Sequence, residues 1–165
     1  MLNIAAFTFK FDQLEDRVLL VGNYNNKQPR IDFWLTRKLV MRLLAKAQEL
    51  IEKTSGSIAT APAEHKSQLA QFDHDQAWRS SSVEHENQTI NAINAELLTR
   101  VDFAFKNGNY QLLFYALGDE ALATSILNYE ELHQVLHLIH KGALSLDWGV
   151  MPSLFEVQSS PTILQ

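Results

Sequence analysis

The chain has no cysteine among its 165 residues, which excludes disulfide staples, thiolate zinc sites, iron–sulfur ligation and thiol catalysis. It has only six glycines and four prolines, and the glycines form no phosphate-loop, dinucleotide-binding or nucleophile-elbow pattern. A His-Glu-x-x-His zinc helix is also missing. No window approaches the roughly 18 apolar residues of a membrane span, and Met1-Leu2-Asn3-Ile4 carries no basic n-region. Neither an export signal nor a membrane contact is expected, and the reducing cytoplasm is the expected location. Basic excess is absent too. Fourteen Lys and Arg against 19 Asp and Glu leave a formal net charge of −5, so the average surface repels phosphate backbones, and nucleic acid is a partner only through a local basic patch.

What is present is apolar material, 46% hydrophobic and 10% aromatic residues, enough to offset chain entropy and build a core without metal or disulfides. We expect one α+β domain over residues 1–156 and a flexible tail over 157–165. Within the domain, Phe7, Phe9 and Phe11 alternate with Thr8 and Lys10 as in a half-buried strand. The run Val18-Leu19-Leu20-Val21, closed by Gly22-Asn23, returns antiparallel to it. After a loop, residues 31–35 alternate briefly, and Thr36 caps a long helix reaching about Lys53. Leu39, Val40, Leu43, Leu44, Ala47, Leu50 and Ile51 fall in one arc of that helix.

Pro62 opens a second, more polar helix whose apolar stripe is sparse: Leu69, Phe72, Ala77 and Trp78. Residues 79–89 show no period and are expected to be a mobile loop. A clear alternation over 97–105, the turn Asn107-Gly108 and an aromatic-rich run over 110–117 form a second hairpin. Residues 120–127 are ambiguous between strand and helix, Asn128 caps a last helix from Tyr129, and Gly142 is expected to stop it after Lys141.

The two halves match. Phe7-Thr8-Phe9-Lys10 aligns with Phe103-Ala104-Phe105-Lys106, and Leu20-Val21-Gly22-Asn23 aligns with Ala116-Leu117-Gly118-Asp119 at the same offset. Trp34-Leu35-Thr36 then opens its helix as Ile126-Leu127-Asn128 opens the other. The match assigns residues 120–127 to a strand. The expected fold is a tandem repeat of two β-β-β-α units: an antiparallel sheet of about six strands with helices packed on it, or else two sheets that share a core. Repeat one covers 4–54, a helical insertion 55–95, repeat two 96–142 and a C-terminal extension 143–156.

Three groups of residues are candidates for function. His133, His137 and His140 lie at i, i+4 and i+7 on the last helix, with Glu130 one turn earlier. Neutral imidazoles one turn apart can converge on zinc or another borderline cation, leaving a position for water. The same stripe borders the apolar arc Leu132, Val135, Leu136, Ile139 and Ala143, so boundary packing is the competing reading, and no cofactor is expected. Asp73-His74-Asp75 and Glu84-His85-Glu86 set carboxylates beside imidazoles, but adjacent residues point apart, which favours a solvated polar face.

Lys38, Arg42 and Lys46 form a basic stripe on the first helix, and Arg37 and Lys38 oppose the dipole in its first turn, which points to an acidic neighbour or partner. With Phe103, Phe105, Phe114 and Tyr115 on strands, a single-strand-binding surface can be drawn, although core spacing makes most of these aromatics packing residues. In outline the tandem of strand-rich units, each followed by a helix, is similar to the Whirly-type single-stranded DNA-binding proteins. The likeness is one of topology without a diagnostic motif, and it implies single-strand binding. Because no cluster has catalytic spacing, the leading expectation is a non-catalytic binding or assembly module. It would act through a protein partner or self-association, with Trp78 in the insertion as the contact residue.

Overall fold

The computed structural model describes residues 1–80 and 86–155. The chain is a mixed α+β protein of four helices and two four-stranded sheets. A two-residue strand β1 (Leu2–Asn3) precedes the meander β2 (Phe7–Asp12), β3 (Arg17–Gly22) and β4 (Ile31–Thr36), which runs into helix α1 (Arg37–Thr54). The short helix α2 (Gly56–Ala59) and the longer α3 (Ala63–Arg79) follow. The second two-residue strand β5 (Glu96–Leu97) then precedes the meander β6 (Arg100–Lys106), β7 (Asn109–Tyr115) and β8 (Ala123–Leu127), which runs into α4 (Tyr129–Ser145). Among the described residues no helix is long and apolar enough to cross a membrane.

In place of the single sheet of about six strands, the chain takes the alternative of two sheets, ordered β2-β3-β4-β5 and β1-β8-β7-β6. The difference comes from β1 and β5. Each pairs in parallel with the last strand of the opposite meander, Leu2 beside Ala123 and Glu96 beside Phe33. Each meander is therefore closed by a short strand from the other half of the chain. Two residues carry no readable alternation, so β1 could not be seen in the sequence, and Leu97 of β5 falls within the expected alternation over 97–105, which the structure breaks at Leu98-Thr99 and divides between the two sheets.

The sheets share one core. Phe33 stacks on Phe114 at 6.0 Å, and Phe7 lies 6.2 Å from the same ring. The alternating Phe7, Phe9 and Phe11 all point into this core, as their period requires. The helices lie across it in exchanged positions. Helix α1 packs against β6 and α4 against β2, each reaching the sheet that its own meander does not form. The buried face of α1 is Leu39, Val40, Leu43, Leu44, Ala47 and Ile51, in agreement with the expected arc. Its N-cap is Thr36, whose Oγ1 accepts from the Leu39 amide. Asn128 caps α4 in a full capping box with Glu131.

Helix α4 does not stop at Gly142 but continues to Ser145. Gly142 is a packing glycine: a Cβ there would meet the Phe11 ring, with its Cζ at 3.0 Å. The chain between β1 and β2 is held by Asn23, which is buried and has a φ of 62°. Its Oδ1 accepts from Ala5 and Ala6, and its Nδ2 donates to the carbonyls of Asn3 and Pro29.

The outer face of the β2-β3-β4 meander is covered by the segment that leads into β5. Ile90 is buried against Leu19 and Val21, Lys10 Nζ donates to the Ile90 carbonyl, and buried Asp32 accepts from Arg30 and from the Ile93 amide. Asp32 is thus tied to the insertion and takes no part in capping α1. The expected mobile loop over 79–89 falls partly outside the described residues, as do His85 and the tail over 157–165. At its described end, Glu86 bridges to Phe9 in parallel, the Asn87 amide donates to the Phe9 carbonyl, and Glu86 pairs with Lys141 of α4 at 2.7 Å.

Candidate functional site

Helix α1 and strand β6 leave a groove of about 670 Å³ between them. Its apolar floor comes from Leu39, Leu43 and Leu50 on the helix and Val101 and Phe103 on the strand. Its charged walls are Arg42, Lys46, Glu49 and Lys53 opposite Arg100 and Asp102. The helix supplies this pattern because a residue next to the buried arc, three or four positions along, reaches its shoulder. The strand supplies the rest by an unusual route. The five consecutive residues Thr99, Arg100, Val101, Asp102 and Phe103 all line the groove. Successive strand residues face opposite ways, so a groove that touches all of them follows the edge of the strand rather than one of its faces.

That edge is open. Strand β6 pairs with β7 on one side and has no partner on the other among the described residues. Two of the charged groups on the walls are compensated locally: Lys53 pairs with Glu49 at 2.7 Å and Arg100 with Asp102 at 3.1 Å. Lys53 is also the main reason that Glu49 sits below its usual carboxylate range, with Lys46 adding to the effect. Arg42 and Lys46 form no ion pair among the described residues and leave the groove net positive on an acidic chain.

The expected basic stripe is therefore partly in the site. Arg42 and Lys46 line the groove, whereas Lys38 is exposed outside it. Sequence reading missed Lys53, Arg100 and Asp102, although the one-turn spacing from Glu49 to Lys53 is legible as a surface pair. In the first turn of α1, the Arg37 guanidinium donates to the Trp148 carbonyl, so a backbone acceptor takes the place of the acidic neighbour expected there. Of the strand aromatics, Phe114 is core, Phe103 is half-buried in the groove, Tyr115 lies under Arg100 at 3.9 Å, and Phe105 is 42% exposed.

The histidines gather elsewhere, at the contact of α3 with α4. The buried rings of His74 and His133 meet through their Nδ1 atoms at 3.0 Å, so one donates and the other accepts. Burial is the main force on both, holding His74 down to about 3 and His133 to about 4, and each is neutral near neutral pH. His137 lies flat on Trp78 at 4.5 Å, and His140 Nε2 donates to the Met151 carbonyl at 2.7 Å. Burial lowers both of these as well. Glu130 is taken by the Ser80 hydroxyl, and Asp73 accepts from the Tyr129 hydroxyl at 2.7 Å. Each ring of the stripe is thus held by a different partner, and among the described residues no group of three or more His, Asp or Glu is arranged to hold a metal ion. Trp78 is 40% exposed, its indole face spent on His137.

No family model matches the chain, and no curated protein or solved structure shows significant similarity to it.

Proposed function

We propose that this protein is a non-catalytic binding module that acts through protein–protein contacts, with the groove between α1 and β6 as its docking surface. The observation that carries the reading is the groove itself: an apolar floor with charged walls, open to solvent and bordered by a strand edge that has no partner among the described residues. Apolar centre and polar rim are the usual anatomy of a docking surface. The net positive walls on a chain of net charge −5 favour an acidic partner.

The same proposal includes one domain built from two copies of a β-β-β-α unit. The exchanged short strands, the exchanged helices and the caps Thr36 and Asn128 at equivalent joints support it. Geometry also revises the alignment of the copies. Phe9 and Phe11 of β2 occupy the places of Phe103 and Phe105 of β6, because Phe7 pairs with Gly22 whereas Phe103 pairs with Leu112.

A second reading, single-stranded nucleic-acid binding, draws on Arg42 and Lys46 beside the half-buried Phe103. It is weaker because Phe103 is the one aromatic ring in the groove lining, and such sites rely on successive stacking platforms. Affinity capture with the wild-type chain and with the Arg42→Glu/Lys46→Glu variant as paired baits separates the readings. The docking proposal expects proteins held by the wild type, insensitive to nuclease and lost from the variant. Retention of the same proteins by both baits sinks it, and retention that nuclease abolishes supports the nucleic-acid reading.

A further inference from the structure

We infer that the open edge of β6 receives an extended acidic segment of a partner protein as an added fifth strand, seated beneath Arg42 and Lys46 of α1. The inference rests on the docking reading above and goes further by naming the partner's conformation and charge.

The first argument comes from the backbone. A strand edge presents alternating amide and carbonyl groups at a spacing that another extended chain matches, and edges that are not meant to pair are blunted or covered. Here the edge of β6 runs along a groove of about 670 Å³, with apolar residues beneath to take alternate side chains.

The second argument is the corresponding edge on the other half, which another part of the chain meets at one bridge. There β2 is the outer strand and α4 lies across it. The segment at Glu86 and Asn87 bridges in parallel to Phe9, the Asn87 amide donates to the Phe9 carbonyl, and the Glu86 carboxylate reaches Lys141 on α4 at 2.7 Å. A single bridge residue with an acidic side chain thus sits between a strand edge and a lysine-bearing helix. Phe103, the counterpart of Phe9, lines the open groove, and the cations Arg42, Lys46 and Lys53 stand on the helix above it. One half shows at a single bridge the contact that the other leaves open.

Charge selects among occupants. A second copy of this chain, edge to edge, would bring two sets of the uncompensated Arg42 and Lys46 together and be repelled. A nucleic-acid strand would satisfy the cations but has no amide and carbonyl groups to pair with the backbone edge. An acidic peptide satisfies both.

The test uses the full chain and short blocked peptides of about eight residues, a usual strand length. One alternates Glu with Val and Ile, a second is the same peptide with N-methyl groups on alternate amides, and a third carries equal charge on a helix-forming Ala-rich frame. Oligothymidylate is the fourth probe. The expected result is binding of the first peptide, slowed amide exchange along residues 100–106, and a loss of about tenfold or more on N-methylation or in the Arg42→Glu/Lys46→Glu variant. Equal binding of the helical peptide, or no effect of N-methylation, overturns strand addition while leaving the docking surface standing. Binding of oligothymidylate alone, falling steeply with salt, assigns the groove to nucleic acid instead. A concentration-dependent dimer that charge reversal strengthens would identify a second copy as the occupant and overturn the inference. No binding by any probe at roughly millimolar concentration overturns both strand addition and the docking reading.

Discussion

Replacing Asn23 tests whether one side chain holds the passage between the two sheets. Its amide makes four hydrogen bonds to backbone, at 2.8 and 3.3 Å through Oδ1 and at 2.8 and 2.9 Å through Nδ2, from a position 2% exposed. Each such bond contributes a net ~0.5–1.5 kcal/mol, so Asn23→Gly, which tolerates the φ of 62°, is expected to cost about 3 kcal/mol. Asn23→Ala loses the same bonds and adds roughly 1 kcal/mol for a β-carbon in the left-handed region. Urea unfolding gives both values directly from the midpoint and slope, and the Gly variant should melt about 6–12 °C lower for a chain of this size. Asn23→Asp serves as a third point: it keeps the two acceptor bonds, deletes both donors and sets a carboxylate against two carbonyls, so it should fall at least as far as Gly. If Asn23→Gly stays within about 0.5 kcal/mol of wild type, solvent replaces the amide at no cost and the reasoning fails.

Two other perturbations follow from packing and from charge. Gly142→Ala places a methyl group against the Phe11 ring. Overpacking of ~1–3 kcal/mol opposes a helix-propensity gain of about 1, so a net loss of about 1 kcal/mol is expected in urea titration, and a stabilised variant would show that the ring yields freely. Acid should weaken the chain well before its carboxylates titrate. His74 and His133 are depressed from 6.5 to about 3 and about 4, so below the ordinary value the unfolded chain takes up protons that the folded chain refuses. Their contribution is full above 6.5 and is lost as pH falls toward their folded values. Between about pH 6 and 5 the two together account for a fall of about 2 kcal/mol, the opposing effect of Asp73 on His133 included, and His137 and His140 steepen it. A flat profile of urea midpoints across that interval, or the same slope after His74→Gln/His133→Gln, would contradict this account.

Much of the fold was legible because it is local. The alternation of Phe7, Phe9 and Phe11, the apolar arc from Leu39 to Ile51 and the caps Thr36 and Asn128 are properties of neighbouring residues, and each stands where its period or chemistry puts it. What could not be read is set by distant partners. Gly142 looks like a terminator until the Phe11 ring is placed over it. Under the proposed repeat, the alignment that puts Phe7 on Phe103 shifts to Phe9 by the pairing registers, because short apolar patterns match in more than one phase. In the groove, Arg42 and Lys46 were visible as a stripe, but Arg100 and Asp102 entered it only because β6 lies at an edge. His74 was read as part of a solvated run, yet it is buried against His133, a contact 59 positions apart in sequence.

The exchange of β1 and β5 has a consequence for how the chain is made. Leu2 leaves the ribosome early but docks beside Ala123, so the first sheet to be started is the last to be closed. During synthesis the β2-β3-β4 meander can form soon after its own residues emerge, but it lacks its parallel fourth strand until residue 97 is out, and α4, which packs on β2, follows later still. Neither half can complete itself alone, so folding is expected to wait for nearly the whole described chain, with late long-range closure rather than stepwise accretion. A stop codon or pause between the halves would leave a nascent chain whose Phe7, Phe9 and Phe11 face water, a substrate for chaperones rather than a smaller version of the same protein.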